Sequence, residues 1–381
     1  MGLLSQIKTW FVLHLLLGYI FITSGLIITF LMLLSCMIYP FNKHLYRKIN
    51  IHLAYSHWCQ FTFLAQWWAG CETLIFITPE DLKYIGTEHN LVIMNHKYDI
   101  DWLMAWILAE RFGLLGGTKI YGKEMLKYVP LIGWAWYFTE SIFLKRDWEK
   151  DRQTMVEDLK KVSDYPENYW VTLLLFPEGT RFTEDKHVAS LEVSRAKGYP
   201  PMKHHLLPRP KGFILSMHGF RGKVPAIYDL TVAFDKQSPE PTLMNVIQGK
   251  PLMSYMNVRR ILIEDVPIGT DEECSAWLRD LFLKKDELYD SFVKNGCFPG
   301  TPYKKKRRVR DLLFWLMWAV VTCIPLFKYL GQLFLSGTYT QQLAFLVVVF
   351  IVSLIIRWMI SVTETHKGSS YGAKHLADKT K

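Results

Sequence analysis

Six cysteines are scattered through the 381 residues as Cys36, Cys59, Cys71, Cys274, Cys297 and Cys323, and no two form a C-x2-C pair. That spacing supports neither a disulfide framework nor a zinc site, so buried reduced thiols are the expectation. No G-x-S-x-G stretch occurs, which removes support for a serine acyl-enzyme of the lipase type. No N-x-S/T sequon occurs either, in keeping with a mostly cytosolic body. Zinc-finger spacing, a helix-turn-helix dimer signal and an arginine-rich arm are lacking too, so no nucleic-acid partner is expected. Acidic residues are the scarcer charge: 35 Asp and Glu against 45 Lys and Arg leave a net charge of +10. Half of the chain is hydrophobic and 15% is aromatic, more than a soluble enzyme needs. A basic, apolar chain suits an anionic membrane surface.

Long apolar runs are what the sequence has in place of those features. Residues 10–38 are almost uncharged and long enough to cross a bilayer, as a single span or as a tilted or re-entrant pair. They are too long for a signal-peptide core and lack a small-x-small cleavage site. Gln6 stands where an N-myristoylation signal wants Ser or Thr, so that reading of Met1-Gly2 is rejected. Lys43, Arg47 and Lys48 follow the run and put its basic side, and the body that follows, in the cytosol. Residues 52–70 are rich in aromatics and read as either an interfacial helix or a core helix. At the other end, six basic residues between 303 and 310 abut two further membrane-length runs, 312–335 and 343–362, joined by the uncharged connector 336–342. The positive-inside rule makes these a hairpin with a lumenal turn, with Lys328 and Arg357 snorkelling to an interface. Residues 366–381 form a polar tail. The expected organisation is a membrane segment at 1–70, a cytosolic α/β domain at 71–302, a basic flank and hairpin at 303–365, and the tail.

Within 71–302, strand-like runs alternate with helical patterns, which predicts a mostly parallel α/β sheet with flanking helices. Strands are expected near 71–78, 91–94, 119–121, 171–176, 212–217, 226–234 and 258–263. Helices are expected over 148–162, with Met155, Leu159 and Val162 inward, over 185–197, closed by Gly198, and over 272–293. Residues 128–138, broken by Pro130 and Gly133, read as a loop lying on lipid or lining an acyl path.

Two of the strand-like runs end in reactive clusters. LVIMNHKYDID (91–101) delivers His96, with Asp101 five residues on; VTLLLF (171–176) breaks into Pro177-Glu178-Gly179-Thr180-Arg181. Neither a regular helix nor a strand brings residues five apart face to face. A strand-to-helix turn does, and the apolar helical pattern after Asp101 predicts one, with Asp99 as its cap. A histidine oriented by a carboxylate at the end of a strand is equipped to take a proton from a hydroxyl. Ligands in α/β sheets gather at the carboxyl ends of strands.

NHKYDID and FPEGTR together resemble the glycerolipid acyltransferases, the 1-acylglycerol-3-phosphate acyltransferase family, and most nearly its eukaryotic gamma and delta types. FPEGTR matches the family's third block residue for residue, and His96 and Asp101 match the first. The second block looks like Phe143-Leu144-Lys145-Arg146, keeping the arginine without the acidic residue that often precedes it. The fourth, Val224-Pro225-Ala226-Ile227, is a looser match; Gly122–Trp134 and HHLLPRPKGF (204–213) also look familial, with Pro210 where Thr is usual. The resemblance implies acyl transfer from acyl-CoA, as co-substrate, to 1-acyl-glycerol-3-phosphate by direct attack, at a multi-pass endoplasmic reticulum membrane. It implies His96 and Asp101 as catalytic residues and Arg146, Glu178, Gly179, Thr180 and Arg181 as substrate-binding residues. Glu178 is open to two readings, acceptor for a glycerol hydroxyl or orienter of Arg181. Lys119 and Lys123 are open to two as well, contacts to CoA phosphates or solvated lysines. The thiolate is a good leaving group, so no metal or other cofactor is demanded. Other lysophospholipid acceptors, such as lysophosphatidylinositol or lysocardiolipin, a membrane hydrolase and an idle lipid-binding or membrane-shaping protein are the competing readings. The oxyanion donors, acyl preference and oligomeric state stay open.

Overall fold

Alternation of buried side chains sets the architecture. In β2 (Asn90–Met94) every residue is buried, as in a strand covered on both faces. Leu91 and Ile93 point into one layer, and Val92 and Met94 into the other. The computed structural model describes residues 6–145 and 148–363. In chain order its main elements are α1 (Phe11–Ser35), α2 (Lys43–Phe63), β1 (Glu72–Phe76), β2, α3 (Asp101–Phe112), β3 (Thr118–Lys123), α4 (Ile132–Phe138), β4 (Ile142–Leu144), α5 (Trp148–Ser163), β5 (Thr172–Leu175), α6 (Glu184–Ala196), α7 (Pro210–Phe220), β6 (Ala226–Phe234), β7 (Met253–Leu262), α8 (Asp271–Asn295), α9 (Arg310–Ser336) and α10 (Tyr339–Thr363).

The strands form one seven-stranded sheet in the order β1-β7-β6-β2-β5-β3-β4. β6, β2, β5, β3 and β4 run parallel. β7 runs antiparallel to β6, and β1 pairs with β7 in parallel, from Glu72↔Met253 to Phe76↔Asn257, with an isolated antiparallel bridge from Ile75 to Tyr303 on its other side. One face packs under α5, α7 and α8, where Met155, Leu159, Val162, Phe213 and Phe282 are buried. The other packs under α3 through Leu103, Met104 and Ile107. The expected parallel α/β class is observed, as is the inward stripe of α5.

Residues 212–217, read above as a strand, lie inside α7. The run GFILSM fits either period for its first few residues, but Phe213, Ile214, Met217 and Phe220 are all buried, which is the i, i+1, i+4, i+7 spacing of a helix face. Pro210 opens that helix at a position where its missing N–H is not required. Residues 128–138 are not a loop: a 3-10 turn (Glu124–Tyr128) leads into α4. Gly133 makes that packing possible, since a Cβ there would lie 1.9 Å from the Leu126 carbonyl oxygen. The block lines a groove of about 620 Å³ against Leu26, Phe30 and Leu33 of α1.

For residues 52–70 the structure selects the core reading. α2 buries Trp58 and Cys59 completely, and Trp58 stacks on Trp106 of α3 with centroids 5.2 Å apart. A π-helical turn (Leu64–Ala69) follows and stops at Gly70, whose φ of 78° a side chain would resist. α1 and α9 are each long and apolar enough to cross a membrane. α10 follows α9 after only Gly337 and Thr338, a tighter connection than 336–342. Asp311, in the first turn of α9, is fully buried and accepts the indole N–H of Trp67 at 2.9 Å and the Gln66 amide at 3.1 Å. The basic run before it is only partly solvent-facing: Arg307 pairs with Glu72, and Arg308 donates to the Glu110 carbonyl at 3.0 Å. The polar tail 366–381 lies outside the described residues.

Candidate active site

β2 and β5 are neighbours in register, with Ile93 opposite Leu175, so their two polar clusters emerge on the same edge of the sheet. Asn95 ends β2 by using its side-chain amide as one more rung, exchanging two hydrogen bonds with the Val232 backbone at 2.8 and 3.0 Å. The chain then folds around the carboxylate of Asp101. Its Oδ2 accepts the backbone N–H of Lys97 at 2.6 Å and of Tyr98 at 2.8 Å, and faces His96 Nδ1 at 3.3 Å. This accounts for the H-x4-D spacing: the intervening residues form a turn whose hub is the carboxylate itself. Asp101 is fully buried, whereas the His96 side chain keeps 17% of its surface open and stacks on Phe176 with centroids 4.1 Å apart. With Nδ1 turned to Asp101, Nε2 is the nitrogen left for a substrate.

Glu178 does not stand against Arg181 as its orienter. Its Oε1 accepts the His96 backbone N–H at 2.8 Å and its Oε2 accepts Leu206 N–H at 3.0 Å, so the carboxylate ties three segments together and does not reach Arg181. Burial pushes its pKa up to about 8, against the two backbone N–H groups that pull it down. The same loops are joined by Phe182 N–H to His96 C=O at 2.8 Å and by Arg209 N–H to Pro177 C=O at 2.7 Å. Gly179 turns the chain with φ +70°, a conformation that a side chain would resist. Thr180 Oγ accepts from Lys186 Nζ at 2.9 Å.

Arg181 pairs instead with Asp99, Nη1 to Oδ1 at 2.7 Å. Asp99 is therefore not the cap of α3, which begins at Asp101 after Ile100 with no side-chain cap. A guanidinium offers an ionised carboxylate a stronger partner than a helix N–H does. Arg146 lies outside the described residues. Lys119 is neither solvated nor at the surface: it is buried, donates to Tyr165 Oη at 2.7 Å and to the Thr139 carbonyl, and burial pushes its pKa down to about 7. Lys123 is exposed. The fourth block sits at the wrong end of the sheet for contact with the site, because Ala226 pairs with Asn90 at the start of β2. At about 3.3 Å per residue, that is roughly 20 Å from His96.

Two groups went unremarked in the sequence. Lys97 Nζ lies between the rings of Phe182 and Tyr289, 5.1 and 4.9 Å from their centroids. Asp286, on α8, accepts the N–H groups of Lys203 and His204, both at 2.7 Å, and His205 Nδ1 at 2.8 Å. It thereby fixes the segment whose Leu206 N–H meets Glu178. Burial pushes His205 down to about 4, so it is neutral there. The familial look of HHLLPRPKGF was the only signal available for this segment. Among the described residues no three His, Cys, Asp or Glu side chains gather as a metal site.

Residues 76–227 match the model of a family described as Acyltransferase, and residues 245–318 match Acyltransferase C-terminus. The chain is 46% identical over 372 residues to the human 1-acyl-sn-glycerol-3-phosphate acyltransferase delta, covering 98% of this chain and 97% of that one. It is 46% identical over 380 residues to the mouse 1-acyl-sn-glycerol-3-phosphate acyltransferase gamma, with complete coverage of both, and 45% identical over 379 residues to the human gamma protein.

Proposed function

This chain belongs to the 1-acyl-sn-glycerol-3-phosphate acyltransferase family, beside its gamma and delta members, and we propose that it uses His96 to make phosphatidic acid from acyl-CoA and lysophosphatidate. The observation that carries the residue assignment is the joining of His96, Asp101 and Glu178 at the carboxyl ends of two adjacent parallel strands.

The acceptor's sn-2 hydroxyl attacks the thioester carbonyl. His96 Nε2 takes the hydroxyl proton as the bond forms, and Asp101 stabilises the resulting imidazolium through Nδ1. Collapse of the tetrahedral intermediate expels the CoA thiolate, and the imidazolium returns the proton to it. Glu178 fixes the backbone of the base and so the angle from which the ring meets the hydroxyl. Arg181, steadied by Asp99, presents a planar fork suited to the acceptor's phosphate. Arg146 is assigned the same task on the family motif alone. The body faces the cytosol at the endoplasmic reticulum, where acyl-CoA is at hand; α1 and α9 supply the membrane attachment.

Membranes carrying the chain, given labelled acyl-CoA with and without lysolipid, test this reading. Label should pass to phosphatidic acid only when lysophosphatidate is present, and less well to lysophosphatidylinositol or lysocardiolipin. Release of free fatty acid without lysolipid would mark a hydrolase, and no turnover a binding protein; either result overturns the proposal.

A further inference from the structure

We infer that Asp286 on α8 is a positioning residue for acyl transfer: through residues 203–206 and then Glu178 it fixes where His96 stands. The inference rests on the acyl-transfer reading and adds to it an element from outside the stretch that carries the reacting groups. His96, Asp101 and Glu178 lie within residues 76–227, whereas α8 lies within 245–318.

Phe282, Lys285, Asp286 and Tyr289 stand at i, i+3, i+4 and i+7 on α8, the spacing of one helix face, and all four are buried. An ordinary core stripe is apolar throughout; this one carries a lysine and an aspartate at its middle. Both are saturated with partners. Lys285 Nζ donates to the Leu230 carbonyl at 2.6 Å and to Thr231 Oγ at 3.1 Å, and it pairs with Asp229 at 2.6 Å. Asp286 Oδ2 accepts the Lys203 N–H, and its Oδ1 accepts both the His204 N–H and His205 Nδ1. Burial works to raise the Asp286 pKa, yet His205 and the two backbone N–H groups outweigh it and leave the carboxyl below its usual range. Buried charges of this kind add little stability over apolar packing; what they add is a single fixed geometry.

That face reaches the base along three routes. Leu230 and Thr231 directly precede Val232, whose backbone holds Asn95, the residue before His96. Tyr289 meets Lys97, the residue after it, with Nζ 4.9 Å from the ring centroid, and stands edge-on to His205 at 5.5 Å. The segment gripped by Asp286 runs straight into Leu206, whose N–H meets Glu178 Oε2, while Glu178 Oε1 holds the His96 N–H. Only this last route ends on His96 itself. It consists of hydrogen bonds and one short stretch of backbone, so a shift at Asp286 is passed on to the imidazole with little slack, and the reacting geometry depends on it.

The test uses the full chain purified in mixed micelles: wild type, Asp286→Asn, His205→Leu, Glu178→Gln and the double variant Asp286→Asn with Glu178→Gln. Glu287→Gln, on the exposed face of α8, is the control. Initial rates are measured against lysophosphatidate and acyl-CoA, and amide hydrogen exchange is followed in peptides covering 95–98 and 203–206. Asp286→Asn keeps one oxygen but sets an NH2 against a donor. Its kcat per folded molecule should fall roughly tenfold while the KM for each substrate stays within about twofold. Exchange should quicken at 203–206 and also at 95–98. His205→Leu removes the side-chain donor and leaves both backbone bonds, so it should move both readouts the same way by less; it carries the test should Asp286→Asn not fold. In the Glu178→Gln background Asp286→Asn should cost no more than about twofold further, because the route is already broken. Glu287→Gln should match wild type. A merely structural Asp286 would lower the unfolding temperature and leave both the kcat of the folded chain and exchange at 95–98 unchanged. A fully multiplicative double variant would show that Asp286 does not act through Glu178. Either result overturns the inference. Should wild type transfer no acyl group, the transfer reading falls and exchange at 95–98 decides the link by itself: quickened in Asp286→Asn, the link stands; unchanged, it falls too.

Discussion

The side chain of Glu178 holds the backbone of His96, Oε1 to N–H at 2.8 Å, so a carboxylate that never touches the imidazole decides where it stands. Its other oxygen holds Leu206, and the two bonds clamp loops that are 82 and 28 residues away in sequence.

Glu178→Ala should therefore strand two buried N–H groups, at a cost of about 1–3 kcal/mol each. Glu178→Gln should replace one acceptor by an NH2 that meets an N–H head on. Both variants should lower kcat by roughly 10- to 100-fold with a smaller change in substrate KM, because geometry is lost and binding is not. Steady-state kinetics on folded variants checks this; a pure KM effect would show that Glu178 touches substrate instead.

The same residue makes stability depend on pH. Burial raises its pKa from 4.5 to about 8, so between those values the folded chain keeps a proton that the unfolded chain has lost. The contribution is fully present below about 4.5 and is lost as pH rises through about 8. Thermal unfolding of wild type and Glu178→Gln between these limits should show wild type losing ground steadily to the variant as pH rises. A constant gap would mean that Glu178 is ionised throughout.

His96→Ala should cut turnover by about 10²-fold or more with folding intact. Asp101 has two duties, since it orients His96 and closes the turn through Lys97 and Tyr98. Asp101→Asn can keep an oxygen on the two N–H groups, whereas Asp101→Ala cannot. The two variants should be similarly poor catalysts, yet only the alanine form should unfold at markedly lower temperature. Equal stabilities would remove the carboxylate from its place as hub of the turn.

Asp99→Asn should loosen Arg181 and raise the lysophosphatidate KM about three- to tenfold, a larger effect than loss of a helix cap would produce on binding. Combined with Arg181→Ala it should add little, because both changes remove one pair. Full additivity in that double-mutant cycle would show that the pair does not position the arginine.

A tag inserted at the exposed turn of Gly222 should be open to protease in sealed microsomes, and one at Thr338, between α9 and α10, should be protected. Protection at Gly222 would place the sheet on the lumenal side, away from cytosolic acyl-CoA.

Much of the scaffold could be read in advance because it is local. NLVIM and TLLL are short apolar runs bounded by polar residues, and α5 carries its core stripe at helical spacing. The turn that joins His96 to Asp101 was legible too, since five residues leave few ways to bring the pair together. α7 was misread because the run GFILSM, largely apolar but for Ser216, suits either period, and only Phe220 beyond it decides. Asp99 was misread because a carboxylate before a helix is a ready cap until a guanidinium arrives from 82 residues away. Glu178 and Arg209 act through backbone groups of distant segments, and such bonds leave no trace in residue type or spacing.

The position of β1 has a consequence for how the chain is made. It is an edge strand whose ladder partner, β7, begins 181 residues later, from Glu72 to Met253. At 5–20 residues per second a ribosome needs about 10–35 s to cover that distance. Throughout that interval the buried apolar faces of Ile75 and Phe76 have left the exit tunnel with no sheet to join, and an unpaired edge invites pairing with other chains. The amino-terminal fifth of the nascent protein is accordingly the part that must be sheltered longest before its sheet exists.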